Sequence, residues 1–168
     1  MREIVQKENP VLRKIAKEIP IGDIGSPKIQ KIIKEMQEAL HSQDDGLAIA
    51  GPQIGEELRI FIISGSLWAK KNNTNPPDKI YINPSYIKKS IKKVEKKGEG
   101  CLSIRWKYGT VKRHSNVTIK AINENGIEFI ESAGGLQSHI FQHEIDHLDG
   151  VLFTDKATNI EDHEPHQS

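Results

Sequence analysis

The sequence predicts an α+β fold of mostly antiparallel sheets packed around a metal-binding helix near the C-terminal end. Three observations carry that expectation. Strand-like segments crowd the middle of the chain, helical periodicity is found near its two ends, and there is no regular βαβ alternation. Asn125-Gly126 lies between two apolar runs, a hairpin turn signal. The segment Leu136 to Leu148 combines a helical reading with His143-Glu144-Ile145-Asp146-His147, the pattern H-E-x-x-H.

Taken in order, Asn9-Pro10-Val11-Leu12 reads as a turn entering a short helical turn. Ser26-Pro27 supplies an N-cap and a proline at the first helical position. Ile29, Ile32, Ile33, Met36 and Leu40 then follow at helical spacing, so the helix spans about residues 27–42. Asp44-Asp45-Gly46 ends it. Arg59 to Ser64 reads as a buried strand. Lys70 to Lys79, with three Asn and two Pro, reads as a surface loop. Lys79 to Asn83 is a further strand, stopped by Pro84. Residues 86–97 mix Ile87, Ile91 and Val94 with six lysines and read as one edge strand whose charges discourage association with other strands. Val117 to Ile122 and Ile127 to Ser132 form the hairpin. Gly150 is placed to cap the last helix.

Composition bounds the answer. A chain of 168 residues with 36% apolar and 28% charged residues suits one domain with a real core. No apolar run approaches a membrane span, so no membrane partner is expected. Met1-Arg2-Glu3-Ile4 lacks the apolar stretch of a signal peptide. The one cysteine permits no internal disulfide and fits a reducing cytoplasm. A net charge of +1 points to no specific DNA binding. The lysine run remains a candidate for a ribosome contact. Thr158 to Ser168 reads as a polar, unstructured tail that contains His163 and His166.

Residues four apart lie on one helix face, so His143 and His147 can reach one metal ion. Glu144 beside them can act as a base without being a ligand. The open question is the third ligand. The long zincin pattern places a histidine where this chain has Phe153, and a phenyl ring coordinates nothing. The carboxylates and histidines beyond it have no pattern to position them. The remaining strong candidate is the thiolate of Cys101, in Glu99-Gly100-Cys101-Leu102-Ser103. Two nitrogens and a sulfur suit Fe(II), Zn(II), Ni(II) or Co(II).

Three segments together resemble peptide deformylase. E-G-C-L-S at Glu99 to Ser103 and Q-H-E-x-D-H-L-x-G at Gln142 to Gly150 match two of the family's motifs in full. The remaining motif, usually G-x-G-L-A-A-x-Q, reads here Gly46-Leu47-Ala48-Ile49-Ala50-Gly51-Pro52-Gln53, with Ala48, Ile49 and Gly51 as departures. The resemblance covers about residues 4–156. It implies a single catalytic domain over residues 1–156, followed by a flexible tail over 157–168. It implies a cytoplasmic hydrolase that removes the N-formyl group from the initiator methionine of nascent polypeptides and releases formate.

The resemblance also implies residue roles. The metal would be one divalent ion, ferrous iron first among the candidates, held by Cys101, His143 and His147. Glu144 would be the general acid–base. The Gln53 side-chain amide and the Leu102 backbone N–H would donate to the oxyanion. Gly46, Leu47, Ala48, Gly100, Leu102, His139, Ile140 and His143 would contact the substrate. The position of His139 is usually apolar, so its ring is expected to point outward or toward a backbone carbonyl. Ala48 adds a Cβ beside the cleft, with Gly51 expected to return flexibility. Trp106 replaces smaller residues and could wall the groove. Two rivals are a zinc endopeptidase and a non-catalytic or altered-specificity paralog that binds N-termini.

Overall fold

The apolar spacing of the first helix is realised as α1 (Pro27–His41), with Ser26 Oγ accepting the Ile29 N–H at 3.3 Å. The computed structural model describes residues 2–72 and 74–165. After α1 come β1 (Ala48–Ala50), a 3-10 turn at Gly51–Ile54, β2 (Ile60–Ile63), α2 (Ser66–Asn72) and β3 (Lys79–Lys89). Then follow β4 (Lys93–Gly100), β5 (Lys107–His114), β6 (Asn116–Ile122), β7 (Glu128–Gly134), α3 (Gly135–Leu148) and β8 (Thr158–Asp162). Among the described residues, every named strand pairing is antiparallel. One sheet runs β1-β2-β3-β6-β7 and the other β4-β5-β8.

The larger sheet lies between the two long helices. Ile60 and Ile62 pack with Ile29, Ile32, Ile33 and Met36 of α1. Phe61 and Ile63 face the other way, among Ile140, Phe141, Ile145 and Leu148 of α3. That is why β2 is apolar without alternation: both its faces are buried. Each such buried side chain contributes about 1.5–3 kcal/mol. A third apolar group, Val11, Leu12, Ile104, Val111, Leu152 and Phe153, sits beside β5. Phe153 is therefore core, which explains a ring where a long zincin has a ligand.

The structure departs from the sequence reading at four places. Pro84 does not stop its strand. It falls in the register shift between Ile82 and Ser85, just past the end of the β2 pairing at Ile82, where no ladder N–H is needed. The lysine-rich stretch is not one edge strand. It ends β3 in one sheet, turns at Ser90 to Lys92, and begins β4 in the other. The loop expected from Lys70 is preceded and partly replaced by α2. The expected unstructured tail contains β8, paired to β5 through Lys107–Asp162, Tyr108–Glu161 and Thr110–Thr158. Its acidic residues meet a basic strand, with Lys107 Nζ 2.9 Å from Asp162. His166 lies outside the described residues.

Candidate metal centre

β7 passes into α3 with no intervening loop, through Gly134 and Gly135. Gly135 has φ of 58°, which glycine adopts without strain, and a Cβ on Gly134 would meet Asn116 Oδ1 at 2.7 Å. The far end of α3 closes at Gly150, with φ of 74°, where a Cβ would strike the Arg13 carbonyl at 2.6 Å. Gln142 clasps the helix to the end of β5. Its Oε1 accepts the His114 N–H and its Nε2 donates to the His114 carbonyl, both at 2.9 Å. The helix is thus fixed along its length before any ligand is considered.

On this helix His143 and His147 converge with Cys101, their ligand atoms all within 4.8 Å of one another. Cys101 Sγ lies 3.2 Å from His147 Nε2. His143 Nδ1 lies 2.7 Å from Glu99 Oε1, so its proton goes to that carboxylate and Nε2 is left for the centre. Glu99 is in turn gripped by Arg113, through Nη2 at 2.6 Å and Nε at 3.1 Å. Arg113 also donates to Asp146 at 2.9 Å. Burial opposes charge on Glu99, but His143 and Arg113 hold its carboxyl down at about 2.

Burial likewise opposes charge on His143, yet hydrogen bonds with Cys101 and Glu99 outweigh it and raise its pKa well above the ordinary value. Burial and the neighbouring His143 press His147 the other way, toward the neutral form that ligates metals. The set fits a divalent metal: a thiolate, two imidazoles with converging nitrogens, and a carboxylate orienting one of them. Glu144 sits beside the cluster, 3% exposed, with Oε2 lacking any hydrogen-bond partner. Burial pushes its pKa up to about 7, a value suited to a proton carrier near neutrality.

A cavity of about 330 Å³ opens onto this cluster, lined by Leu47, Ala48, Gln53, Gly100, Leu102 and Ile140 among others. Gln53 is buried. Its Oε1 accepts the Ala50 N–H at 2.8 Å, while Nε2 reaches Ser103 Oγ at 3.1 Å and Cys101 Sγ at 3.6 Å. The Leu102 carbonyl is held by Gln6 at 3.1 Å. Gly100 is demanded by Tyr108, whose ring a Cβ would meet at 2.6 Å. Gly46 is not part of the lining. It is kept by the end of α1, where a Cβ would meet the Leu40 carbonyl at 2.8 Å.

Gly51 likewise has a packing reason, since a Cβ there would meet the Leu58 carbonyl at 2.8 Å. Close approach, rather than returned flexibility, accounts for it. His139 points neither outward nor to a carbonyl: it is 6% exposed, it lines the cavity, and its Nδ1 has no partner. Trp106 is not in the lining either. Its ring lies under the Arg105 guanidinium at 4.4 Å, and Arg105, with Asp45, forms the cavity rim. Arg113, Lys96 and Tyr108 escaped sequence reasoning. The one available signal was Arg113 in the stretch after the cysteine, opposite an aspartate within the helix motif.

A half-buried Cys-His-His cluster beside an unpaired, buried glutamate, opening on a cavity, defines a metallohydrolase centre on an α+β scaffold. The profile of the family described as polypeptide deformylase matches residues 1–163. The chain is 36% identical to peptide deformylase 2 of Clostridium acetobutylicum, over 94% of this chain and 96% of that protein. It is 37% identical to the chloroplastic peptide deformylase 1A of Solanum lycopersicum, over 93% of this chain but only 59% of that longer protein. A crystal structure of a peptide deformylase from Synechococcus elongatus in complex with actinonin superposes with a TM-score of 0.81 at 31% identity, covering 94% of this chain and 79% of that one. The chain belongs to the polypeptide deformylase family.

Proposed function

We propose that this chain hydrolyses the N-formyl group of N-formylmethionyl nascent polypeptides, releasing formate and a free amino terminus. The observation that carries the reading is the convergence of Cys101, His143 and His147 beside the buried, unpaired Glu144. A divalent ion held by those three residues supplies Lewis acidity, lowering the pKa of a water and polarising a carbonyl. Ferrous iron is the ion we assign to the site.

Glu144 takes the proton of the attacking water and passes it to the leaving amine. Its burial keeps that proton within the site. We assign the Gln53 amide, held by Ala50 and Ser103, and the Leu102 N–H as the donors to the developing oxyanion. Leu47, Ala48, Gly100 and Ile140 form the walls along which the substrate lies, and Gly46 sets the path of the segment entering them. Residues 1–156 act as one catalytic domain, to which β8 adds an edge.

No described helix is long and apolar enough to cross a membrane, which accords with action in the cytoplasm on chains leaving the ribosome. The exposed lysines of β3 and β4 are the surface we assign to a ribosome contact. The deciding experiment is formate release from a formyl-Met peptide by protein loaded anaerobically with Fe(II). An unformylated peptide, which a zinc endopeptidase would cleave, should remain intact. Cleavage of that peptide, or binding of formyl-Met without formate, would replace this reading with one of its two rivals.

A further inference from the structure

β3 and β4 belong to different sheets, and the turn that joins them is tied to the segment between β5 and β6. The Ser90 N–H donates to the Asn116 carbonyl and the Ser115 N–H to the Lys92 carbonyl, each at 2.9 Å. Ser90 Oγ donates to the Lys92 carbonyl at 2.8 Å, and His114 Nδ1 lies 2.6 Å from the Ser90 carbonyl. At the apex of this fixed turn Ile91 is fully exposed. Lys88, Lys89, Lys92 and Lys93 flank it, all exposed. Among the described residues none of these lysines makes an ion pair, whereas Lys14, Lys79, Lys107 and Lys156 do. Folding therefore makes no use of the four charges as partners for carboxylates.

Beside the turn lies a shallow depression of about 460 Å³, lined by Lys88, Ser90, Asn116, Thr118 and Ser132 among others, and by no carboxylate. Thr118 Oγ1 and Ser132 Oγ are 2.7 Å apart, so one hydroxyl proton joins them and the other is free to donate outward. Ammonium, hydroxyl and carboxamide groups around a concave surface are the donors that meet phosphate and sugar oxygens in nucleic-acid complexes. A bilayer would leave the depression unfilled, and one isoleucine is a small apolar face for it. A-form RNA, by contrast, presents a wide, shallow groove edged by phosphates and 2′-hydroxyls, which an exposed turn can enter.

We propose that the β3–β4 turn and the depression beside it dock on the sugar-phosphate backbone of a structured RNA. The proposal specifies the chemistry of the ribosome contact assigned above and rests on that reading for its biological partner. The lysines neutralise phosphates, the hydroxyl and carboxamide groups meet ribose oxygens, and Ile91 packs in the groove between them. None of the four lysines lines the cavity at the metal centre, so docking leaves that cavity open.

The test is fluorescence anisotropy of metal-loaded protein with an RNA stem of about 16 base pairs, against a DNA duplex of the same sequence, with flotation on phosphatidylserine vesicles alongside. Wild type should bind the RNA more tightly than the DNA or the vesicles. Its log Kd should rise with log salt at a slope of about 3–4, near 0.9 for each lysine that neutralises a phosphate. The quadruple variant K88Q/K89Q/K92Q/K93Q should lose about tenfold or more in RNA affinity and most of that slope. Lys7, Lys17, Lys28 and Lys34 are also exposed but lie elsewhere. The charge-matched variant K7Q/K17Q/K28Q/K34Q should stay within about threefold of wild type.

Equal losses in the two quadruple variants would make the binding a matter of net charge and overturn the proposal. Equal or tighter binding of the DNA or the vesicles overturns it too, as does the absence of RNA binding at low salt. Formate release from a formyl-Met peptide, measured on the same samples, should be the same in wild type and both variants. Its absence in wild type would remove the deformylase reading and leave the binding result to be judged by itself.

Discussion

Two arginines flank the cavity with similar geometry and opposite surroundings. Arg113 grips Glu99 at 2.6 and 3.1 Å and is 3% exposed. Arg105 grips Asp45 at 2.6 and 3.0 Å, but its partner's side chain is 53% exposed. A list of contacts would rank them equal. Burial separates them, because an uncompensated charge at the Arg113 site cannot be rescued by water, whereas Asp45 can simply be solvated. Arg113 also stands two steps from the chemistry, through Glu99 to His143. Arg105 stands at the rim and connects to no ligand.

Breaking the buried side should have the largest effect. Arg113→Leu leaves the largely buried Glu99 with only His143, and Asp146 with only Lys156, and should cost about 3–5 kcal/mol in denaturant unfolding. A loss below about 1 kcal/mol would put Arg113 in the same class as Arg105. Glu144→Gln tests whether a buried carboxylate can matter for rate alone. Formate release should fall about 10²-fold or more, with metal content equal to wild type by atomic absorption. Reduced metal content would make Glu144 a ligand instead of a base.

Glu99→Gln sharpens the comparison further, since it weakens the orientation of His143 without removing a ligand. Metal affinity should drop about 10–100-fold in competitive chelation. The same residue shapes the acid limb. The Glu99 carboxyl titrates at about 2 in the fold against an ordinary value of 4.5, so the unfolded chain takes up the proton first. Its contribution to stability is complete above pH 4.5 and is lost as the pH falls toward 2. A stability curve that keeps the wild-type slope in Glu99→Gln over that window would remove Glu99 from the account. The smallest effect belongs to the rim: Arg105→Ala should change stability by only about 0–1 kcal/mol, with the change shrinking further in high salt.

The helix wall of the site was legible in the sequence, and the strand wall was only partly so. His143, Glu144 and His147 follow from a period of four on one helix, and Ser26 and Gly150 mark helix ends by chemistry that acts within a few residues. Cys101 could be nominated from its motif, and Phe153 excluded, because each argument needs only the residue's own donor atoms. The hairpin at Asn125-Gly126 was likewise a local matter.

Apart from α2, the places where the strand reading failed depend on a partner distant in the chain. Pro84 is tolerated because β2 has already ended. Thr158 to Asp162 becomes a strand because β5 offers an edge. The lysine run divides because its two halves belong to different sheets. Lys96 looked like a surface residue, and the ring of His139, named as a substrate contact, was expected to turn outward or toward a carbonyl; a one-residue bulge and the helix direction put both in the cavity lining.

What the sequence determined by itself was the metal-binding chemistry and the elements whose signals are periodic or capping, since those are set by covalent spacing. What only the tertiary structure decided was which charges are buried, which glycines are crowded and which side chains share a wall. Those properties arise from register and packing between segments far apart in the chain, such as Gln6 and Leu102 or Arg13 and Gly150. They have no counterpart in any local window of the chain.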